Sequence, residues 1–240
     1  MNLKYIIKKI LNRTTRFNHI KNHASISDGF IWRTDQNFYT IFNTQNIIKD
    51  YFLNDAKIKL HFYDKNYNHI KSVFLDTSTS SFSSLVVDEN FIGSKDFGIF
   101  HIEHIFDVKR DKKIVITDRS YVGYSKHPDN LFSYVHGNSH MTIYEKNKSG
   151  KNIIFSNDIS NNYFIQKNFK EYDYIELAII NLVDVKIHVN INNYKLILNP
   201  NNLRIVKFDK IDLIKINSTS FRLRPIVFCY KNDFFDVLHC

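Results

Sequence analysis

The chain has 240 residues, of which 43% are hydrophobic and 15% aromatic, so it can bury a sizeable core and is not a disordered protein. Its formal net charge is +9, but six of its 33 basic residues and none of its acidic ones lie in residues 1–23. Removing those six leaves 27 basic against 24 acidic residues, a balance that argues against nucleic-acid binding by the rest of the chain.

The N-terminal 23 residues form a distinct basic segment. Hydrophobic residues recur in it at helical spacing, with lysines between them, at Leu3, Ile6, Ile7, Ile10 and Leu11. The pattern predicts a short basic amphipathic helix that either docks on an anionic membrane surface or an acidic partner, or packs on its own domain. Lys8 and Lys9 interrupt the apolar region that a signal peptide needs, and no stretch approaches the ~20 apolar residues of a membrane span. We therefore expect a cytoplasmic protein, with this helix as its candidate for peripheral membrane contact.

The rest of the first half is a series of short β-branched or aromatic segments that end in Asn, Asp or Ser turns. Residues 45–54 are predicted as a short helix. The predicted strands are FYTIFN (38–43), KIKLHFYD (57–64), IKSVFLD (70–76), SSLVVD (83–88), FGIFHIEHIF (97–106) and KKIVITD (112–118).

The second half continues in the same way and faintly repeats the first. Its predicted strands are HMTIYEK, NIIFSN, YFIQKNF, YIELAIIN, VKIHVNI, YKLILNP, LRIVKFD, LIKIN and RPIVFCY. TIFN, AKIKLHFYDKNY, SVFLD, LVVD and FGIFH parallel LAIIN, DVKIHVNINNY, KLILN, RIVKFD and PIVFC in the same order, with His61 matched to His188. The sequence therefore predicts an all-β protein of two similar antiparallel β-sandwich halves behind the basic helix. The predicted boundaries are 1–23 for the helix, 24–118 and 141–240 for the halves, and 119–140 for a connecting segment.

The two cysteines indicate a reducing compartment. Cys229 lies in the apolar run RPIVFCY, which predicts a buried thiol, and Cys240 is the last residue. Two cysteines cannot provide a disulfide framework for a chain of this length.

The segment around residues 118–140 is the predicted site, because the regular strand pattern lapses there and long loops in compact domains are usually functional or linking. It holds two of the six glycines and one of the three prolines. Tyr and Arg side chains stack on sugars or bases while also hydrogen-bonding. The candidate ligand-binding residues are Arg119, Tyr121, Tyr124, His136, Asn138 and His140. Trp32, the only tryptophan, either lines a similar surface or anchors the core.

His136 and His140 also raise the possibility of a divalent metal site. Their spacing would place both on one face of a helix, but Gly137 and Asn138 break any helix. An extended segment would place Phe132, Tyr134 and His136 on one face, with a Gly–Asn hairpin turn returning His140 towards them. A metal would need a further ligand, for which the candidates are His101 and His104. A metal site, a hydrogen-bonded structural turn and a ligand-binding loop are all consistent with the sequence.

Other catalytic signatures are missing from the sequence. It contains no G-x-S-x-G nucleophile motif and no glycine-rich phosphate loop, and neither cysteine lies in a recognisable nucleophile motif. Lysines alternate with apolar residues in KIKLHF and LRIVKF, as they do in any half-exposed strand.

Five short segments spread over residues 27–240 stand out: SDGFIWR (27–33), RSYVGY (119–124), SYVHGN (133–138), RPIVF (224–228) and DVLHC (236–240). They resemble landmarks of uncharacterised bacterial proteins that are described as two-part β-sandwiches and are often encoded among surface-polysaccharide and glycosyltransferase genes. The resemblance does not cover the basic N-terminal helix. It implies a glycan-related context and no activity.

We therefore expect a non-catalytic binding or accessory protein of bacterial surface-glycan assembly, with no required cofactor. Its partners would be glycans or glycan-assembly proteins, with an anionic membrane surface as a further candidate for residues 1–23. The rival is a metal-dependent enzyme acting on a sugar or nucleotide-sugar, with His136 and His140 as metal ligands and His101 or His104 completing the set.

Overall fold

The computed structural model describes residues 26–46, 49–50, 56–105, 120–127, 131–143, 151–152, 160–165, 168–182, 185–220 and 223–239. The predicted helix in residues 1–23 lies outside the described residues, as does most of the short helix predicted over 45–54. For residues 26–28, His104, residues 138–143 and residues 151–152 the structure describes the backbone alone.

The first half of the chain forms two antiparallel sheets. Sheet I has the strand order β10-β9-β1-β6-β3-β4, and sheet II has the order β5-β2-β7-β8. A 3-10 helix (Asp35–Asn37) follows β1, and a short helix, α1 (Glu89–Ile92), follows β5. The strands are β1 (Ile26–Arg33), β2 (Tyr39–Gln45), β3 (Lys57–Asp64), β4 (His69–Leu75), β5 (Phe82–Val87), β6 (Phe97–Ile105), β7 (Ser120–Ser125), β8 (Ser133–His136), β9 (Asn138–Ile143) and β10 (Lys151–Asn152).

The second half forms two further antiparallel sheets. Sheet III has the order β15-β12-β17-β18, and sheet IV has the order β11-β16-β13-β14. The strands are β11 (Asn161–Ile165), β12 (Tyr174–Asn181), β13 (Ile187–Ile191), β14 (Tyr194–Leu198), β15 (Asn202–Asp209), β16 (Ile214–Ser218), β17 (Ile226–Lys231) and β18 (Phe234–His239).

The strand order of the second half repeats that of the first. The order β1-β6-β3-β4 in sheet I matches β11-β16-β13-β14 in sheet IV, and β5-β2-β7-β8 in sheet II matches β15-β12-β17-β18 in sheet III. Each strand from β11 to β18 thus takes the place of the strand ten numbers earlier. The faint sequence repeat therefore corresponds to a repeated topology.

One detail of the predicted repeat is wrong. FGIFH lies on β6, whereas its predicted match PIVFC lies largely on β17, the counterpart of β7. The match of His61 to His188 places them on β3 and β13, which are counterparts in the repeated topology.

Sheet III is buried on both faces. Along β12, Leu177 and Ile179 belong to the core shared with sheet IV, whereas Ala178 and Ile180 belong to the core shared with sheets I and II. The four small sheets are arranged like the blades of a four-bladed propeller. The all-β prediction is confirmed. The prediction of two sandwich halves is wrong, because one face of sheet III, which includes Ala178 and Ile180, completes the core of the first half.

The segment 119–140 is not an irregular connector where the structure describes it. It supplies β7, which lies between β2 and β8 inside sheet II, and then β8 and the start of β9. The predicted Gly–Asn hairpin turn is also wrong, because β8 pairs with β7 in sheet II and β9 pairs with β1 in sheet I. The chain changes sheets at Gly137, where a Cβ atom would lie 2.3 Å from the ring of Phe30.

Arg33 joins the two halves where β1 meets sheet III. Its guanidinium is buried between the rings of Phe38 and Phe228, at 4.2 and 4.6 Å from their centroids. It donates hydrogen bonds to Glu176 at 2.6 Å and to Asp35 at 2.9 and 2.7 Å. A buried charge is tolerated because it is paired and hydrogen-bonded in this way.

Two single-residue predictions can be compared with the fold. Cys229 is completely buried, which confirms the prediction of a buried thiol. Trp32 is also completely buried and donates from Nε1 to the carbonyl oxygen of Tyr63, so it anchors the core. Among the described residues, no helix has the length and apolar character needed to cross a membrane.

Candidate functional site

The outward face of sheet II carries a set of exposed aromatic and amide side chains. Side chains alternate along a strand, and the inward residues Phe42, Val87, Val122 and Val135 are buried. The residues between them face outward, and the pairing register sets them in rows across the sheet. We name these residues the aromatic face: Phe82, Ser84 and Val86 of β5, Ile41, Asn43 and Gln45 of β2, Tyr121 and Gly123 of β7, and Tyr134 and His136 of β8.

Two tyrosine rings form the centre of the aromatic face. The exposed fractions of Tyr121 and Tyr134 are 47% and 45%. Gly123 pairs with Tyr134, and a Cβ atom at this glycine would lie 2.6 Å from the tyrosine ring. The missing side chain therefore lets the Tyr134 ring lie across β7, where its hydroxyl accepts a hydrogen bond from Nδ2 of Asn43 at 3.4 Å.

Polar groups lie directly beside these rings. His136 pairs with Tyr121, and their ring centroids are 4.4 Å apart. On its other side, the His136 ring is 5.5 Å from that of His239. Nδ1 of His136 and Oδ1 of Asn43 have no hydrogen-bond partner within the described part of the chain. Both atoms are buried, and buried polar atoms are normally paired, so each is an unsatisfied polar atom that lies beneath the surface of the aromatic face.

The aromatic face carries no formal charge. None of its ten residues is Lys, Arg, Asp or Glu, and two of its outer positions are the exposed hydrophobic residues Phe82 and Val86. Flat aromatic surface with neutral amide, hydroxyl and imidazole groups suits an uncharged polar ligand, because such a ligand needs stacking and hydrogen bonds but no counter-ion.

The structure separates the predicted ligand-binding residues. Tyr121 and His136 lie together on the aromatic face. Tyr124 is completely buried, and its hydroxyl donates to the carbonyl oxygen of Ile31 at 2.9 Å, so it is a core residue and its predicted ligand contact is wrong. Arg119 and the side chains of Asn138 and His140 lie outside what the structure describes.

The predicted metal ligands do not form a metal centre in the described part of the chain, which holds no group of three or more candidate His, Cys, Asp or Glu ligands. His101 is buried on sheet I, where its Nε2 lies 2.9 Å from the Tyr67 hydroxyl, whereas His136 lies on sheet II. The side chains of His104 and His140 are among those that the structure does not describe.

A polar cleft of about 450 Å³ lies beside the 3-10 helix and α1. Lys126 and His127, from the predicted site segment, line one side of it. Its charged groups are already engaged: Glu89 pairs with Lys95 at 3.4 Å, and Asp88 accepts a hydrogen bond from the first turn of α1. The cleft is therefore a weaker candidate than the aromatic face.

No protein-family model matches the chain, and no curated protein matches it significantly. Its function is therefore inferred from its own side chains.

Several residues of the aromatic face escaped prediction. Asn43, Ser84, Phe82 and Val86 lie on strands far in sequence from residues 119–140 and become neighbours of Tyr121 only through the register of sheet II. Alternation alone predicts which side chains share a face of one strand, but it does not predict which strands are neighbours.

Proposed function

We propose that the protein is a carbohydrate-binding or accessory protein and that the aromatic face of sheet II is its binding surface. The observation that supports this most strongly is the pair of half-exposed rings, Tyr121 and Tyr134, beside the amide of Asn43 and the imidazole of His136. A sugar ring presents apolar C–H faces and a rim of hydroxyl groups. Tyrosine rings stack on the first, and amide and imidazole groups exchange hydrogen bonds with the second.

The neutral character of the aromatic face favours a sugar over other ligands. Nucleic acids are held largely by lysine and arginine contacts to phosphate, which this face does not supply. An anionic membrane surface also requires basic residues beside the apolar ones. A neutral glycan needs neither phosphate contacts from lysine and arginine nor basic residues beside apolar ones. Binding of a glycan at this face also involves no catalysed reaction.

The resemblance to proteins encoded among surface-polysaccharide genes supports the same ligand class. We extend the proposal to bacterial surface-glycan assembly on that basis, with glycans or glycan-assembly proteins as the partners. The basic segment of residues 1–23 remains a candidate for contact with an anionic membrane.

The proposal is tested by glycan-array binding of the full-length protein, followed by calorimetry with the best-bound neutral oligosaccharide. We expect the Tyr121→Ala and Tyr134→Ala variants each to weaken binding at least about tenfold, because truncating an aromatic hot spot costs about 2 kcal/mol or more and about 1.4 kcal/mol corresponds to tenfold. Tyr194→Ala is the matched control, since Tyr194 is also 47% exposed but lies on sheet IV. Equal losses in the control and in both test variants, or no glycan bound by the wild type, would contradict the proposal.

A further inference from the structure

A serine, a histidine and a glutamate form a hydrogen-bonded chain on sheet I. Oγ of Ser72 on β4 lies 2.9 Å from Nδ1 of His61 on β3. Nε2 of the same imidazole lies 2.7 Å from Oε2 of Glu103 on β6. His61 is 4% exposed, whereas Ser72 is half-buried and the Glu103 side chain is 19% exposed. The imidazole is thus shielded from solvent more completely than Ser72 is.

The hydrogen bonds of a neutral His61 fix its tautomer. The Glu103 carboxylate then accepts the Nε2 proton of His61, which leaves Nδ1 as an acceptor for the Ser72 hydroxyl proton. The imidazole of His69, whose Nε2 lies 2.9 Å from Ser72 Oγ, donates to the serine oxygen. Ser72 therefore faces a basic nitrogen whose tautomer is fixed by an acid, the arrangement that activates serine nucleophiles. In such triads Nε2 usually faces the serine and Nδ1 faces the acid, whereas in His61 Nδ1 faces the serine and Nε2 faces the acid. Either ring nitrogen can act as the base.

Ser72 lies on an edge strand. Among the described residues, β4 is the last strand of sheet I, so alternate backbone N–H groups along it point away from the sheet, and either that of Ser72 or that of Val73 does so. Such a group is a suitable donor for an oxyanion. Phe74 follows on the same face, is 60% exposed and lies beneath the ammonium group of Lys59 at 5.3 Å. Its ring offers an apolar contact for an acyl or alcohol group.

We propose that Ser72 is the nucleophile of a catalytic site that hydrolyses small, uncharged acyl esters, with His61 as the general base and Glu103 as its positioning residue. The site lies on sheet I and is independent of the aromatic face on sheet II. Its three members come from three strands, so no local motif in the sequence marks it.

The reaction balances with water as the only co-reactant. Oγ of Ser72 bonds to the acyl carbon while its proton passes to Nδ1 of His61, and the leaving alkoxide takes that proton as its bond to the carbon breaks. Water then attacks the acyl carbon and gives a proton to Nδ1. Cleavage of the bond between Ser72 and the acyl carbon releases the acid and returns the proton to the serine.

The test is hydrolysis of 4-nitrophenyl acetate by the full-length protein. We expect Ser72→Ala to lower kcat/KM at least about 100-fold, which is the lower end of a general-base contribution. Ser78→Ala is the matched control, because Ser78 Oγ donates to the carboxylate of Asp76 at 2.6 Å and not to an imidazole, and it should retain the wild-type rate. Glu103→Gln should lower kcat about tenfold or more with KM unchanged, as a positioning role requires. Hydrolysis by wild type no faster than by Ser72→Ala would overturn the proposal.

A second measurement does not depend on turnover. In a Ser72→Cys variant, His61 should increase the thiolate fraction, so iodoacetamide should alkylate position 72 at pH 7 at least about tenfold faster than position 78 in Ser78→Cys. Mass spectrometry of the relevant peptides separates these sites from Cys229 and Cys240. Equal alkylation rates at the two positions would overturn the assignment of His61 as the base.

Discussion

Replacing Arg33 with methionine removes the charge at the junction between β1 and sheet III while keeping a long apolar stem. Arg33 is completely buried and lies 2.6 Å from Glu176, whose side chain is only 8% exposed. After the change, Glu176 keeps hydrogen bonds from Tyr230 at 2.6 Å and from Gln36 at 3.1 Å but loses its counter-ion. Breaking one side of a buried ion pair typically costs about 3–5 kcal/mol, so we expect a loss of this size in the free energy of unfolding at pH 7.

The dependence of that loss on pH follows from Glu176. Burial alone would raise the pKa of Glu176, but the charge of Arg33 and the hydrogen bonds from Tyr230, Arg33 and Gln36 lower it below the usual 4.5. In the wild type this carboxylate therefore stabilises the fold above the unfolded pKa, and the stabilisation is lost as pH falls through the folded pKa. In Arg33→Met the charge of Arg33 no longer opposes the effect of burial, so the pKa of Glu176 in the folded state rises. The variant therefore loses stability as pH increases. The deficit of the variant should thus grow as pH rises from the lowered pKa of Glu176 in the wild type to the raised pKa of Glu176 in the variant.

Urea unfolding followed by circular dichroism at pH 5, 6, 7 and 8 measures this deficit. Arg204→Met is the matched control, because Arg204 is exposed on β15 and its replacement should change stability by no more than about 0.5 kcal/mol. A deficit equal to that of the control, or one that shrinks as pH rises, would refute the role assigned to the buried pair.

Three further predictions concern buried positions. A Cβ atom at Gly98 would lie 2.2 Å from a backbone carbonyl oxygen, so Gly98→Ala should lower the free energy of unfolding, measured with urea, by about 2 kcal/mol or more. A Cβ atom at Gly93 would meet no atom within 4 Å, so Gly93→Ala should lower it by only about 1 kcal/mol, because of the positive φ at this position. Burial, and secondly His61, lower the pKa of His101 to about 3, so stability should fall as pH drops from 6.5 towards 3, and His101→Gln should flatten that slope. Cys229 is completely buried and should react with iodoacetamide only after unfolding. Equal costs for the two glycine variants, an unchanged slope, or labelling of the native thiol would contradict these expectations.

The strands were predictable because their signal is local. The predicted segments KIKLHFYD (57–64) and YIELAIIN (174–181) coincide with β3 and β12, since β-branched and aromatic residues bounded by turn residues define a strand without reference to its partners. The burial of both faces of sheet III was not predictable, because β12 is a largely apolar segment whichever sheets cover it.

The site was only partly predictable for the same reason. Tyr121 and His136 were identified from a single segment, whereas their neighbour Asn43 reaches them through the register of β2 with β7. The error at Tyr124 had a local signal: it lies three residues after Tyr121, so on one strand the two side chains point to opposite faces. The chain of Ser72, His61 and Glu103 depends on the alignment of three strands and has no such signal.

The junction at Arg33 also sets an order of events during synthesis of the chain. Glu176 follows Arg33 by 143 residues, so at about 5–20 residues per second the arginine leaves the ribosome roughly 7–30 s before its partner. During that interval the nascent first half exposes a guanidinium that has only Asp35 as a counter-ion, together with the apolar surface that β12 and β17 later cover. The first half can begin to fold alone, but it completes its core only when the end of the chain arrives, and until then it is a natural client for chaperones.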